Sequence, residues 1–374
     1  MNIRRKKVTE WIAMQAAAAM PRDKHEIVEM RVYPVREPAS GRSYTIVRLR
    51  TQSGLTGWGE AGRVSPADAE RARSRILGKP ATAYAVTSTD TLLDAAINCA
   101  MHDITGKAVS APVYRVLGGP TRFKARALAP LSGGTDGELT ASLNTLAKAG
   151  FQAFDVPIPG INWRNQGQAF DKAARARMDG LRSAAPQNAN FVLRGGGTLM
   201  AGDAAAVASS LERFHLLWFD EPCPVTNLRT IKKIAEETVT PLGFGREIAS
   251  ASVFQDLLRE GVVDILRPSI QRDGITRIRQ IAAMAETYYV AVAPNHDGGP
   301  IATAAAIQLA ASLPNFFIQS VPRPEDERDR RMRAELVSEP IETVRDGFLS
   351  VPATPGLGIT VNESALEKYK ETAA

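Results

Sequence analysis

The sequence predicts an α/β protein in two parts, an antiparallel sheet with helices followed by a closed parallel barrel of the (β/α)8 type. Two observations predict this arrangement. Near the beginning, three strand-like segments separated by turns precede a helix with one broad apolar face. From about residue 124, eight short apolar runs alternate with helical stretches at intervals of roughly 20 to 40 residues, the spacing of β-then-α units that close into a barrel.

The antiparallel part comes first along the chain. Residues 27–35 have the pattern of a strand, residues 44–51 place Thr45, Val47 and Leu49 on one face, and residues 56–61 return after a Ser-Gly turn. A helix is predicted next, because apolar side chains recur at helical spacing. They are Leu92, Leu93, Ala96, Ile97, Ala100, Met101 and Ile104.

The apolar runs of the second part supply the barrel strands. They are residues 126–131, 151–158, 191–194, 216–220, 241–244, 262–266, 290–293 and 316–320. Helical stretches such as residues 204–214 and 275–285 separate them. In barrels of this kind the chemistry lies at the carboxyl ends of the strands, so the residues that end each run are the candidates for a site.

Charge and composition exclude several classes of function. The chain has 46 basic and 40 acidic residues, a formal net charge of +6, and mixed-sign runs such as residues 325–331. Such runs form solvated helix faces rather than phosphate tracks, so no nucleic-acid partner is expected. No apolar run reaches the roughly 20 residues that span a bilayer, so no membrane partner is expected either. The excess of positive charge suits a small anionic molecule.

The beginning of the chain differs in composition from the rest. Residues 4–7 read Arg-Arg-Lys-Lys before an alanine run, which resembles a weak twin-arginine export signal, but Glu10 interrupts the apolar region. We therefore predict a helical extension over residues 1–22 of a cytoplasmic protein, with export as the alternative. A first domain over residues 23–122, completed by residues 340–374, and a barrel over residues 123–339 are predicted to follow.

Several stretches together resemble the mandelate racemase and muconate lactonizing group of the enolase superfamily, and most of all its galactonate dehydratase branch. They occur in family order: TGWGEA at 56–61, HDITGK at 102–107, LGGP at 117–120, WFDEP at 218–222, GIT at 274–276, APNH at 293–296, GP at 299–300 and PGLG at 355–358. The resemblance implies an α+β capping domain over the mouth of a modified TIM barrel, (β/α)7β, in a homo-oligomer.

The resemblance also implies an activity, that of a lyase of the sugar-acid dehydratase type or an isomerase of the racemase type. Such proteins bind an acid substrate through Mg²⁺, remove the proton next to its carboxylate and stabilise the resulting enediolate. A lysine or histidine is the base, and three carboxylates at the ends of the third, fourth and fifth strands hold the metal.

Carried over one position at a time, the resemblance places unsuitable residues at most of these positions. Asp155 ends the second strand, where a lysine is frequent. Arg194 stands at the first metal-ligand position, Asp220 at the second and Arg246 at the third. Asp220 is a suitable ligand, but arginine has no lone pair and stays charged, so the two arginines repel a metal ion.

At other functional positions of the family this sequence has a different residue, or the expected type of residue occurs one position later. Ser269 stands at the position of an acid on the sixth strand, Asn295 at that of the histidine base on the seventh, and Ser320 at that of a glutamate on the eighth. Glu247 and His296 each follow the expected position by one residue. Because adjacent residues of a strand point to opposite faces, these two reach the site only through a bulge or a bend.

Three hypotheses follow. The leading one is a protein that lacks the usual Mg-assisted proton abstraction and either binds a small carboxylate or sugar-acid anion at the barrel mouth or is catalytically silent. It predicts no cofactor and no metal site, with Mg²⁺ on Asp220 and Glu247 as the alternative. The second hypothesis is an active, divergent dehydratase or racemase. The third is a structural or regulatory subunit.

The residues behind these hypotheses have structural alternatives. Asp155 and His296 are the catalytic candidates, yet Asp155 also suits an ion pair with an arginine and His296 an exposed loop. Asp220, with Glu221, also suits pairing with the two arginines in place of a ligand. The predicted ligand-binding residues are Arg194, Asp220, Glu221, Arg246, Glu247, Asn295 and Ser320.

Overall fold

An antiparallel sheet of three strands begins the computed structural model, which describes residues 24–160 and 168–371. The strands are β1 (Ile27–Arg36), β2 (Ser43–Thr51) and β3 (Thr56–Ala61), with β2 in the centre. Val47 of β2 lies opposite Val32 of β1 and Gly59 of β3. The predicted extension over residues 1–22 lies outside the described residues.

One long helix packs directly on this sheet. The helices of the first part are α1 (Pro66–Ile76), α2 (Asp94–Ala108) and the short α3 (Val113–Val116). A Cβ atom on Gly57 or Gly59 would lie 2.1 Å from the Ala100 carbonyl oxygen or 1.9 Å from that of Ala96, so only glycine permits this approach of β3 to α2. Leu92, assigned above to the apolar face, precedes the helix and is exposed.

Eight parallel strands form the closed barrel that the periodicity predicts. They are β4 (Lys124–Pro130), β5 (Ala153–Pro157), β6 (Asn190–Arg194), β7 (Phe219–Asp220), β8 (Leu242–Phe244), β9 (Ile265–Leu266), β10 (Ala291–Val292) and β11 (Gln319–Ser320). Consecutive strands pair from β4 to β10. β11 pairs with β4, and a bridge between Val292 and Phe316 closes the remaining gap.

Helices connect these strands on the outside, in the order that the (β/α)7β fold requires. Between β4 and β11 lie α4 (Asp136–Lys148), α5 (Gln168–Ala184), α6 (Ala201–Ser210), α7 (Leu228–Glu236), α8 (Ala251–Glu260), α9 (Ile270–Glu286) and α10 (Pro300–Ala310). Their apolar faces cover the outer side chains of the barrel in one large buried core. Among the described residues, every helix is too short or too polar to traverse a bilayer.

After the barrel, α11 (Glu327–Leu336) leads into a tail that contacts both parts of the molecule. β12 (Val344–Arg345) and β13 (Phe348–Ser350) form a hairpin that pairs antiparallel with β4. α12 (Glu363–Lys368) follows, and Lys370 bridges to Val35 of β1. The tail therefore first adds strands to the barrel, then bridges from Gly356 to Pro112 of the first part, and finally meets the first sheet at Lys370.

Candidate functional site at the barrel mouth

Five charged residues meet where the strands β5 to β9 end. Asp155 lies in β5, Arg194 ends β6 and Asp220 ends β7, while Arg246 and Arg267 follow β8 and β9. Parallel pairing sets Arg194 beside Asp220, and the carboxyl ends of the strands bring the others to the same edge. Asp155, Asp220 and Arg267 are completely buried. We call these five residues the mouth cluster.

Arg246 bridges the two carboxylates of the mouth cluster. Its NH1 atom lies 3.5 Å from Asp155 Oδ2 and 3.3 Å from Asp220 Oδ2. Arg194 Nε lies 3.5 Å from Asp155 Oδ1, and Arg267 Nε lies 3.1 Å from Asp220 Oδ1. Two acids thus face three guanidinium groups, which leaves the cluster with an excess of positive charge.

The hydrogen bonding of the mouth cluster is incomplete. Within the described residues, neither carboxylate oxygen of Asp155 accepts a hydrogen bond, and Arg267 Nε and NH2 donate none. Burial raises the pKa of Asp155, and Arg194 and Arg246 oppose that shift. Buried charges without hydrogen bonds are unfavourable by themselves, so this arrangement is typical of a site that a ligand completes.

Arg267 is the member of the cluster that the sequence reasoning missed. It lies one residue after the predicted run 262–266, whereas the comparison of that strand with the family pattern pointed to Ser269. Arg267 NH1 donates to the Ala293 carbonyl at 3.0 Å, and the guanidinium carbon lies 4.9 Å from the ring centre of Trp218. Trp218 Nε1 donates in turn to Asp220 Oδ1 at 2.8 Å. The feature of the sequence that could have identified Arg267 is its position directly after a predicted strand.

Glu221 holds the loop that carries Arg246. Its Oε1 atom accepts hydrogen bonds from the backbone N–H groups of Gly245 at 2.6 Å and Arg246 at 2.8 Å. The backbone of Glu221 has a φ of 46°, which is uncommon for a residue with a Cβ. Burial, followed by the nearby charge of Asp220, raises the pKa of Glu221 to about 7. The interpretation that Glu221 pairs with the arginines is wrong, because its carboxylate binds backbone amides.

The two residues out of step with the family pattern do not join the mouth cluster. Glu247 is exposed at the rim of the adjoining cavity. His296 is 1% exposed, so the exposed-loop alternative is wrong. Its Nε2 lies 3.4 Å from Thr303 Oγ1, and burial, followed by Arg333 and Arg42, lowers its pKa to about 3. The ring of His296 is therefore neutral and lies near Arg333. It belongs to the interface with the first domain rather than to the arginine-lined mouth.

Asn295 and Ser320 are buried in supporting positions. Asn295 Nδ2 donates to the carbonyl oxygens of Arg267 at 2.6 Å and Pro268 at 3.2 Å, so its amide fixes the chain next to Arg267. Ser320 pairs with Leu128, and its backbone N–H donates to the Pro294 carbonyl at 3.3 Å. Asn295 therefore positions the mouth cluster, while its predicted contact with a ligand stays a prediction, as does that of Ser320.

A cavity of ≈ 610 Å³ opens beside the arginines. Arg194, Glu221 and Arg246 line it together with other residues of the loops after β7 and β8. This volume suits a small molecule of the size of a hydroxy acid. The exposed fraction of the side chain is 27% for Arg194 and 13% for Arg246, so both guanidiniums are available to an anion that enters.

Comparisons with known proteins agree with this geometry. A family model described as "Enolase C-terminal domain-like" matches residues 138–365. A D-galactonate dehydratase from Ralstonia pickettii is 30% identical over 357 residues, which cover 88% of this chain and 91% of the relative. A D-xylonate dehydratase from Haloferax volcanii is 26% identical over 361 residues, with 87% and 85% covered.

A solved structure shares the fold. An enolase from Agrobacterium radiobacter, with sodium and L-malate bound, superimposes with a TM-score of 0.82 at 24% identity, over 92% of this chain and 95% of the other. The prediction that the protein has no cofactor is wrong in the light of these relatives. The resemblance to galactonate dehydratases implies Mg²⁺, and the Agrobacterium enolase binds a cation together with a hydroxy acid.

The mouth cluster in its present arrangement does not fit Mg²⁺. Among residues 24–160 and 168–371, no three or more His, Cys, Asp or Glu side chains are grouped so as to hold a metal ion. Mg²⁺ needs oxygen ligands in octahedral geometry, but the NH1 atom of Arg246 lies between Asp155 and Asp220, where a bridging cation would bind. We therefore derive the roles of the residues without a step through the metal.

Proposed function

This chain belongs to the mandelate racemase and muconate lactonizing group of the enolase superfamily, and from that premise we propose that it is a lyase of the acid-sugar dehydratase type. The observation that carries the proposal is the mouth cluster. Two partly accessible guanidiniums adjoin a buried carboxylate whose oxygens accept no hydrogen bond from the described residues, and a cavity opens next to them. The sugar-acid dehydratases among the relatives indicate the class of reaction.

The proposed reaction removes water from a 2,3-dihydroxy acid. The C2–H bond breaks as its proton passes to Asp155, the C3–O bond breaks as the leaving hydroxyl takes that proton from Asp155 to form water, and the resulting enol becomes a 2-keto-3-deoxy acid, so no oxidant or reductant is needed. Arg194 and Arg246 bind the substrate carboxylate as bidentate forks. As C2 loses its proton, negative charge develops on the carboxylate oxygens, and the two guanidiniums stabilise it more strongly than they stabilise the ground state.

Asp155 is the proposed proton acceptor. It lies within 3.5 Å of both arginines, so a carboxylate held by them brings its C2 proton near. Asp220 has a different role, because its oxygens are engaged by Trp218, Arg246 and Arg267. It orients Arg246 and balances part of the positive charge. Mg²⁺, when bound in members of this family, supplies Lewis-acid polarisation of the same carboxylate.

The test is a substrate panel with designed variants. The purified protein is incubated with D-galactonate, D-xylonate, 2,3-dihydroxybutanoate and 2,3-dihydroxyhexanoate, with and without Mg²⁺, and 2-keto acid formation is measured as the semicarbazone. We expect turnover of at least one acid, with a loss of about 10²-fold or more in Arg194→Met and Arg246→Met. Arg213→Met is the matched control, because Arg213 is an exposed arginine on the barrel exterior. Absence of keto acid across the panel with Mg²⁺ contradicts the proposal.

A second candidate function is anion binding without turnover. The position of Arg246 between Asp155 and Asp220 favours it, since the same contacts hold an anion whether or not a proton is removed. Calorimetric titration of the panel decides between the two candidates. Binding that requires Arg194 and Arg246, together with no keto acid, supports the second candidate over the first.

A further inference from the structure

The lining of the cavity beside the mouth cluster contains two chemically different groups of residues. The charged group consists of Arg194, Glu221, Arg246 and Glu247. Among the described residues, the apolar group is formed by Pro224, Val225, Ile248, Ala249 and Val253, and we call it the apolar side. These residues come from the loop after β7, the loop after β8 and the first turn of α8.

The apolar side is incompletely covered by the protein itself. Val225 and Val253 are partly buried and pack against the large core to which Ile248 belongs, and each still lines the cavity. Apolar surface that remains open in a pocket is stabilised when an apolar ligand group removes it from water, by about 25 cal/mol per Å². The cavity is therefore suited to a molecule that is charged at one end and apolar at the other.

A polyhydroxylated chain finds few partners on this side. Besides the charged residues, which include the exposed Glu247, the hydroxyl-bearing residues of the cavity are Thr226 and Ser250. Ser250 Oγ already accepts a hydrogen bond from the Ser252 backbone N–H and shares another with Ser252 Oγ, because it caps α8. A ligand hydroxyl that leaves water without a replacement partner is unfavourable. Successive hydroxyls of a sugar acid are thus poorly accommodated against Val225, Ile248 and Val253.

We propose that the substrate is a 2,3-dihydroxy acid with an alkyl or aryl terminus, and that the wall of Val225, Ile248 and Val253 binds this terminus. The inference rests on the proposed function, since the carboxylate must be held by Arg194 and Arg246 for the other end to reach the wall. It distinguishes this chain from enzymes whose substrates are polyhydroxylated throughout. The two ends of the substrate are then recognised by different physical effects, ion pairing at one and burial at the other.

The experiment compares acids that differ either in chain length or in their distal hydroxyls. Isothermal titration calorimetry measures the affinity of the full chain, with Mg²⁺ in the buffer, for 2,3-dihydroxybutanoate, 2,3-dihydroxyhexanoate and D-galactonate. The hexanoate and galactonate have the same six-carbon chain and differ only in their distal hydroxyls. We expect the hexanoate to bind at least about tenfold more tightly than galactonate, and the affinity to rise about fourfold per added methylene.

Variants identify the wall as the cause. Val225→Thr with Val253→Thr preserves side-chain shape and adds a hydroxyl to each wall position. In this double variant we expect the gain per methylene to fall below about twofold, with butanoate binding unchanged. Val239→Thr is the matched control, because Val239 is 84% exposed and is not among the residues that line the cavity. Thermal unfolding of each variant confirms that it is folded.

The outcomes separate this inference from the proposed function. Tighter binding of galactonate than of the hexanoate, or a gain per methylene that the double variant leaves unchanged, overturns the apolar wall. Chain-length-dependent binding without keto acid formation supports the wall and contradicts the lyase proposal. Dehydration of galactonate at a rate above that of the hexanoate supports the lyase proposal and overturns the wall.

Discussion

Buried charge is paired to different degrees in the mouth cluster and in a second cluster of the described residues. The interface cluster, at the junction of the first sheet with the barrel, consists of Glu37, Glu60, Arg333 and Glu342. Arg333 donates from Nε to Glu37 at 2.7 Å, from NH1 to Glu342 at 2.8 Å and from NH2 to the Gly298 carbonyl at 2.8 Å. In the mouth cluster, by contrast, the contacts of Asp155 are ion pairs at 3.5 Å without hydrogen bonds.

This difference separates a structural role from a binding role. Where every nitrogen of a guanidinium donates a hydrogen bond, as at Arg333, the desolvation of the charge is compensated within the protein. Where carboxylate oxygens and guanidinium nitrogens remain without hydrogen bonds, as at Asp155 and Arg267, a ligand can supply the missing partners. The interface cluster therefore fixes the first domain over the barrel, and the mouth cluster is left for an anion.

The largest effect on stability is expected from Arg333→Met. Removal of this guanidinium leaves Glu37 and Glu342 without their buried counter-ion, which lowers the free energy of unfolding by about 3–5 kcal/mol. Urea denaturation followed by circular dichroism measures the change. Arg331→Met is the control, because Arg331 is exposed and its ion pair with Glu327 contributes less than about 1 kcal/mol. Equal losses in the two variants contradict the structural role of Arg333.

A pH dependence of stability is expected from Glu60. It accepts hydrogen bonds from the N–H groups of Gly299 and Ala302 at the start of α10, yet burial raises its pKa to about 7. Its pKa in the unfolded chain is about 4.3. Because the folded state holds the proton more tightly, the contribution of Glu60 to stability is complete below the lower value and is lost as the pH rises through 7.

Glu60→Gln isolates this contribution from other titrating groups. We expect the unfolding free energy of the natural chain minus that of Glu60→Gln to fall by up to about 3 kcal/mol between pH 4.5 and pH 8. Denaturant titrations at several pH values give the difference. A difference that stays constant with pH shows that Glu60 keeps an ordinary pKa in the folded protein.

Asp155→Asn is expected to separate activity from stability. The rate of keto acid formation falls by about 10²- to 10⁴-fold, since the proton acceptor is lost. The free energy of unfolding falls less than in Arg333→Met, because the ion pairs of Asp155 at 3.5 Å lack hydrogen bonds within the described residues and its burial already raises its pKa. Kinetics and urea denaturation on the same preparation provide both values. A loss of stability similar to that of Arg333→Met would assign Asp155 to the framework instead.

The smallest effect is expected from His296→Gln. The ring is buried near Thr303, and its lowered pKa keeps it neutral throughout the range from pH 5 to pH 9. The affinity for 2,3-dihydroxyhexanoate should change by less than about twofold, since His296 lies with the interface cluster. Calorimetric titration measures this affinity. A change in affinity comparable with that of Arg246→Met would show that His296 belongs to the binding site.

Much of the fold could be read from local patterns. The eight apolar runs each contain or overlap a barrel strand, because buried parallel strands need continuous apolar residues whatever the rest of the chain does. The carboxyl-end rule then placed Asp155, Arg194, Asp220 and Arg246 at one edge. Arg267 escaped notice because the family pattern directed attention to Ser269, two residues further on.

The sequence could not reveal how these side chains share their contacts. The roles of Glu221 and His296 depend on which groups surround them after folding: backbone amides of the loop after β8 for the first, and Thr303 with Arg333 for the second. These partners are separated from them along the chain by distances that no local pattern encodes. The arginines at two metal-ligand positions led to the prediction that the protein has no cofactor. Family membership corrected that prediction.

The sequence by itself determined the order of strands and helices and the reversal of charge at two strand ends, because periodicity and residue type are local properties. Only the tertiary structure decided that Arg246 lies between Asp155 and Asp220, that Arg267 joins them, and that apolar residues line the same cavity as Arg194 and Arg246. The physical reason is that the pairing of a buried charge depends on distances and angles among groups from different strands. Those distances are set by the closure of the barrel.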